Sequence, residues 1–413
     1  MSKLINQEII EKNTEISNTE TSNTETSNIE TSNTETSNTE TSNTETSNTE
    51  TSNTEISNTE TSNTETSNTE TSNIETSNIE TSNTETSNTE TSNRKTFNIL
   101  TSNATDIGGG RENQDGYLFF KLLLASQDEA IIEGVFDGHG IKGKLIADLC
   151  VSETRNYIYE NINNIEIDYI LFFNNLISIL NNKTQINYRY QGGTTATINI
   201  LLKGKIYNCN CGDSDSKLFS KHKNLKKEPD TFTDILNISK SHSPLEKEEF
   251  DFMRENKPEI KFLYKMGNIE HPIYDEFGNL NDVSTLGLIP KNINGDLPST
   301  ISNSINYLAM TRSIGDGDLS RKDPSICVYD ISDIITSEYD LCLVIASDGL
   351  WDNWKDEDIK NFVFNEKNLL TLQEENGIKK VTETLLKKND NIGKRNFGVY
   401  RDNTTLFLTY LTL

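Results

Sequence analysis

The sequence predicts an α+β fold, β-sheets packed on one another with helices outside, preceded by a disordered low-complexity tail. Three observations predict it. Runs rich in β-branched and aromatic residues recur after residue 93, several with hairpin-length links. Only a few amphipathic helical stretches separate them, so there is no regular βαβ alternation. The first 93 residues hold almost no apolar side chains.

The tail comes first in chain order. From Thr14 to Asn93 a five-residue unit, Thr-Glu-Thr-Ser-Asn with minor variants, repeats sixteen times. A period of five fits neither the helix nor the flat strand, because each unit rotates the pattern off a fixed face. The apolar residues there are Ile16, Ile29, Ile56, Ile74 and Ile79. Most units have none, so ordering this backbone costs more than burial returns. Residues 1–93 therefore read as a disordered tail and 94–413 as one domain with a sizeable core. Each Ser of the repeat is also followed three residues later by Glu, the spacing that acid-directed kinases favour. The favoured reading of the repeat is a neutral expansion of a low-complexity tract.

The formal net charge is −26, of which the sixteen repeat glutamates carry −16. The remainder is only mildly acidic, which argues against nucleic acid or an anionic membrane as partner, since both need clustered Lys and Arg. The apolar runs Tyr169–Leu180, broken by Asn174 and Asn175, and Leu341–Ala346 are too short to span a bilayer. The N-terminus lacks the apolar core of a secretory leader, and Ser2 stands where myristoylation needs glycine. The five cysteines, Cys150, Cys209, Cys211, Cys327 and Cys342, are odd in number and scattered. They read as reduced thiols of a cytoplasmic chain, with the nucleus left open. Cys209 and Cys211 have no second pair with zinc-ligand spacing and read as neighbours on a strand. The basic stretch from Lys221 to Lys227 reads as a strand-adjacent loop and not as an import signal.

Within the domain, Glu129–Phe136 is an apolar-rich strand that ends in the turn Asp137-Gly138-His139-Gly140. Leu145, Ile146, Leu149 and Cys150 then repeat at helical spacing. Thr194–Leu202 and Lys205–Cys211 are strands joined through Lys203-Gly204, a hairpin. Leu341–Ala346 is a strand that delivers Asp348-Gly349, followed by a helix from Asp356 to Phe364. Asn403–Leu413 is a closing strand led by Asp402. Asp137, Asp348 and Asp402 thus stand at strand ends, and Asp213 follows another strand. Carboxylates fixed in this way suit hard cations such as Mg²⁺ or Mn²⁺. Singly each Asp-Gly is an ordinary turn dipeptide; together their spacing and flanks are not.

Seven short motifs in order resemble those of the metal-dependent protein phosphatase family, the 2C class of serine/threonine phosphatases. They are Asn113-Gln114-Asp115, Val135 through Gly140, Gly192 through Ala196, Asn210 through Ser214, Leu308 through Asp316, Ser347 through Asp352, and Asp402 through Thr405. The resemblance covers roughly Asn103 to Leu413. It implies a four-layer αββα double β-sandwich with two Mn²⁺ or Mg²⁺ ions at one end. Asp137 would bridge the ions, the Gly138 carbonyl would help hold one, and Asp348 and Asp402 would complete the other. In such an enzyme, water activated by the ions would be the nucleophile that attacks phosphoserine or phosphothreonine in line. His139 would be the general acid for the leaving oxygen. Arg111 would hold the substrate phosphate bidentately. Asp115, Asp213 and Asp352 would serve a weaker third ion or the shell that orients waters. No Cys is followed by the five-residue loop and Arg of cysteine-dependent phosphatases.

The chain departs from the family in four places. Arg111 precedes Asp115 by four positions, one fewer than the pattern expected. Asp215 and the Ser241-His242-Ser243-Pro244 stretch differ from the family's turns, and Asn256–Ile305 is a longer flap, with a hairpin turn at Asp275–Asn279. A monomeric enzyme acting on phosphoproteins is the expectation. The alternative is a catalytically silent scaffold of the same fold that binds phosphoproteins or kinases.

Overall fold

The computed structural model describes residues 98–413 except 125, 224–234, 333, 335–338, 373, 375 and 413, together with strand backbones within 14–86. Two units divide at Arg94 and Lys95. In the first unit, strands pair in parallel at an offset of 20 residues, such as Thr14 opposite Thr34 and Glu20 opposite Glu40. One such step holds four repeat units. The rest of the expected tail lies outside the described residues, as do residues 224–227 of the basic stretch.

In the second unit, strand β1 (Asn98–Asp106) is followed by β2 (Gly116–Leu123), β3 (Glu129–Phe136) and the two-residue β4 (Gly138–His139). Helices α1 (Gly143–Asn161) and α2 (Tyr169–Tyr188) follow, then β5 (Gly193–Thr194), β6 (Ala196–Leu202), β7 (Lys205–Cys211), β8 (Asp215–His222) and β9 (Ile235–Asn237). Helix α3 (Lys247–Asn256) leads into β10 (Lys261–Met266), β11 (Ile269–Pro272), β12 (Ser299–Ser302), β13 (Tyr307–Leu308), β14 (Ile314–Gly315), β15 (Ser325–Asp330) and β16 (Tyr339–Ala346). The chain ends with α4 (Asp348–Trp351), α5 (Asp356–Val363), α6 (Glu366–Leu372), α7 (Gly377–Asn396) and β17 (Thr404–Thr412).

Two antiparallel five-stranded sheets form the body, one ordered β1–β17–β16–β8–β9, the other β2–β3–β6–β7–β15. Strand β3 shows why the strands read as continuous apolar runs. Its two faces are both covered, so the alternation of side chains sorts residues between two interiors. Ala130, Ile132 and Phe136 pack with α1 and α2, whereas Ile131 and Val135 meet the other sheet. On the far side Val344, Ala346, Leu406 and Leu408 pack under Trp354, Ile359, Phe362 and Leu385. The result is four layers, helices on each side of paired sheets.

The apolar run Tyr169–Leu180 is the first half of α2. Asn174 and Asn175 fall on its exposed side while Phe172, Phe173, Leu176 and Ile177 are buried. Asp168 caps this helix, its Oδ1 accepting from the Leu171 amide at 2.8 Å. In α1 the buried line is Ile146, Ala147 and Cys150, and Leu145 of the expected face is instead exposed. The β6–β7 hairpin turns through Lys203 and Gly204, both with positive φ (50° and 74°), the geometry of a two-residue type I′ turn. The long insertion forms its own small sheet, β11–β10–β12–β13, closed by α3 over Phe262, Tyr264 and Ile301. Asp275 makes the expected hairpin turn, its Oδ1 accepting from the Phe277 and Asn279 amides.

Candidate active site

The predicted carboxylates come together where strands of both sheets end. Asp137 follows β3, Asp213 follows β7, Asp348 follows β16, Asp402 precedes β17 and Asp115 precedes β2. Each is fixed through its neighbours. The Asp137 amide donates to Thr195 Oγ1 at 2.9 Å, and the Thr195 amide returns to the Asp137 carbonyl at 2.8 Å. Thr195 Oγ1 in turn shares a hydrogen bond with Ser214 Oγ at 2.8 Å, tying this strand end to the Asp213 turn. Ser347 Oγ donates to Asp115 Oδ2 at 3.1 Å. Asn403 clamps the loop before β2: its Oδ1 accepts from the Gln114 amide at 2.9 Å and its Nδ2 donates to the Ile107 carbonyl at 2.6 Å. Gly138 belongs to the same packing, since a Cβ there would lie 2.5 Å from the Gly143 carbonyl oxygen and 2.6 Å from that of Gln114.

Burial, then the charges of Asp115, Asp348, Asp402 and Asp213, raise Asp137 well above the ordinary carboxylate range. Burial and neighbouring carboxylates likewise push Asp115, Asp213 and Asp352 up to about 7 and Asp402 up to about 6. Asp115 Oδ1, both Asp213 oxygens and Asp348 Oδ1 are buried without a hydrogen-bond partner. Unpartnered, mutually repelling carboxylate oxygens are the donor chemistry of a hard-cation site. Among the described residues, however, no three His, Cys, Asp or Glu groups already converge on one point close enough to hold an ion. The donors fit the cation by type and burial; the cage is not closed.

His139 sits beside them. Its Nε2 lies 2.7 Å from Asp316 Oδ2, which also accepts from Ser313 Oγ at 2.6 Å, and its Nδ1 is buried without a partner. Burial pushes the imidazole down, but Asp316 more than reverses this and leaves it above its ordinary value. Burial pushes Asp316 up, and His139 overrides that to hold it low. Asp316 adopts the left-handed backbone (φ 56°), and a Cβ on Gly193 would stand 2.1 Å from its Oδ2, so the glycine is what admits the carboxylate to the histidine. Behind Asp316, Lys322 donates to the Gly315 carbonyl and, at 2.6 Å, to Ser320 Oγ; burial lowers it to about 8.

Arg111 is exposed. The glycines before it are held in place: Gly108 (φ 68°) leaves no room for a Cβ against the Asp402 carbonyl, and the Gly109 amide donates to the Arg401 carbonyl at 2.9 Å. Asp215 begins β8, where Ser239 Oγ donates to it at 2.9 Å, and burial pushes it up to about 6. His242 is a structural pin, Nδ1 accepting from the Gly212 amide at 3.0 Å and Nε2 2.8 Å from Ser325 Oγ. Two residues carry more than the sequence analysis gave them. Asp316 lies inside the motif that runs from Leu308, and its place between Gly315 and Gly317 was the available signal. Lys291, from the insertion, reaches Asp352 at 3.9 Å, and no local pattern marks it.

A family model described as protein phosphatase 2C matches residues 111–376. Among solved structures, a C. elegans sex determining protein has a TM-score of 0.52 and 16% identity, covering 76% of this chain and 64% of its own. The chain thus spans less than two thirds of that protein. Serine-threonine phosphatase 2C from Toxoplasma gondii has a TM-score of 0.51 and 18% identity, covering 76% of this chain and 95% of its own. No curated protein sequence matches. At these identities the structural likeness is one of fold, and the family model, matched over more than half the sequence, gives the membership: the chain belongs to the protein phosphatase 2C family.

Proposed function

We propose that the chain is a metal-dependent protein serine/threonine phosphatase acting on phosphoserine and phosphothreonine proteins, as a cytoplasmic monomer. The observation that carries this is the set of buried, unpartnered carboxylate oxygens at the strand ends, next to a histidine whose Nε2 lies 2.7 Å from Asp316 Oδ2. Asp137, the Gly138 carbonyl, Asp348 and Asp402 would hold two Mn²⁺ or Mg²⁺ ions, with Asp115, Asp213 and Asp352 around them. When bound, the ions supply Lewis acidity and an activated water.

The chain's own residues do the rest. Asp316 accepts from His139 Nε2 and so stabilises the imidazolium, leaving Nδ1–H as the proton available to the departing serine or threonine oxygen. Arg111, exposed at the end of a fixed glycine loop, would meet the phosphate dianion as a guanidinium. Residues 1–93 would form a tail that contributes no group to this chemistry. A second reading, a silent scaffold on the same fold, draws on the absence of a closed ligand cage among the described residues. Hydrolysis of a phosphothreonine peptide by the full chain separates the two. Turnover with Mn²⁺ or Mg²⁺ that stops on chelation supports the enzyme; binding of the peptide without turnover in either ion supports the scaffold.

A further inference from the structure

Lys291 lies in the insertion, between β11 and β12, yet its ammonium reaches the carboxylate cluster at Asp352. Its Nζ is 3.9 Å from Asp352 Oδ1. The approach is built by the backbone around it. The Ile293 amide donates to the Asp352 carbonyl at 3.0 Å, and Asn292 Nδ2 donates to Asp352 Oδ1 at 3.3 Å. The segment is itself a closed turn: the Lys291 amide donates to the Asp296 carbonyl at 2.7 Å, Asn292 Oδ1 accepts from the Asn294 and Asp296 amides, and Asn292 Nδ2 reaches Asp296 Oδ2 at 2.7 Å. A flexible surface lysine needs none of this.

What it faces is a place with negative charge and unpartnered oxygens. Both oxygens of Asp213 and one of Asp348 are buried without a hydrogen-bond partner. An ammonium at that distance balances charge but supplies no ligand oxygen, so it occupies the role of a cation and blocks the seat of one.

We infer that Lys291 is an internal cation that stands in for a peripheral divalent ion at Asp352, so that this chain carries two exchangeable ions and not three. The inference rests on the two-ion reading of the preceding section. Its consequence is regulatory: the charge of the outer carboxylates is neutralised by a residue of the insertion, and their state follows the position of that segment and not the free metal concentration.

Calorimetric titration of the metal-stripped full chain with Mn²⁺ tests it, with circular dichroism confirming that each variant is folded. Wild type takes up two ions. Lys291→Met gains a further, weaker binding step at least tenfold tighter than any third uptake by wild type, Lys291→Arg keeps the wild-type isotherm, and Lys291→Met with Asp352→Asn loses the gain. A Lys291→Met isotherm that superposes on a two-ion wild-type isotherm overturns this inference alone, as does a wild type that already takes up three. No uptake by any variant overturns the two-ion reading and this inference with it.

Discussion

Two carboxylates, one within β3 and one just past its end, meet opposite fates. Glu133, midway along β3, lies between the sheets with no exposure, and burial pushes it up to about 7. Its relief is local: the Thr101 and Thr409 hydroxyls donate to Oε1. Asp137, four residues on, is raised by burial and also by four other aspartates. A proton is enough to settle Glu133, because no other carboxylate acts on it. For the strand-end cluster a proton on one member leaves the others facing each other, and only a cation relieves them together. A structural carboxylate thus stands in the middle of β3, and the proposed cation ligand just past its end.

The largest expected effect breaks the cluster. Asp137→Asn should lower kcat by about 10³-fold or more, measured on a phosphothreonine peptide, while the far-ultraviolet dichroism is unchanged. Stability of the metal-free variant should not fall, since a repelled charge has been removed. His139→Gln should lower kcat by about 10²-fold or more. Asp316→Asn should cost less, about tenfold, and move the alkaline limb of the kcat profile to lower pH. The direction follows because Asp316 raises the histidine, so losing it lets the acid form disappear earlier.

Glu133 sharpens the comparison from the other side. Its folded value, about 7, lies above the ordinary 4.5. Its contribution to stability is therefore fully present below 4.5 and is lost as pH rises through 7. Wild type should lose about 3 kcal/mol on this account between pH 4 and pH 8. Glu133→Gln, which keeps an acceptor for both threonines, should not show that loss in urea melts, and its activity should match wild type. The smallest effect belongs to Arg111→Ala. As an exposed residue it should raise KM for the phosphopeptide by less than about tenfold with kcat little changed.

What the sequence revealed follows from how local each feature is. Asp137, Asp348 and Asp402 were visible because a strand and the turn that ends it are contiguous, and the Lys203-Gly204 hairpin was visible because its turn chemistry sits in two residues. The burial of Glu133 was hidden, since an apolar strand with one glutamate does not say which interior that side chain enters. The role of Asp316 needed Gly193, distant in sequence, to leave space for it. Lys291 was invisible for the same reason: a long insertion does not announce which of its residues folds back onto Asp352. Arg111 was seen, but the fixity of Gly108 and Gly109 depends on contacts with residues 399–402, far along the chain.

The central claim is that the strand-end carboxylates await a cation. Thermal melting of the full chain at pH 8, metal-stripped and then with Mn²⁺ at saturating concentration, tests it most directly, with Asp137→Asn beside wild type. The account predicts that Mn²⁺ raises the wild-type midpoint by several degrees, that Asp137→Asn loses most of this gain, and that Glu133→Gln keeps all of it. A wild-type midpoint indifferent to Mn²⁺ and Mg²⁺, or an Asp137→Asn gain equal to wild type, would contradict it.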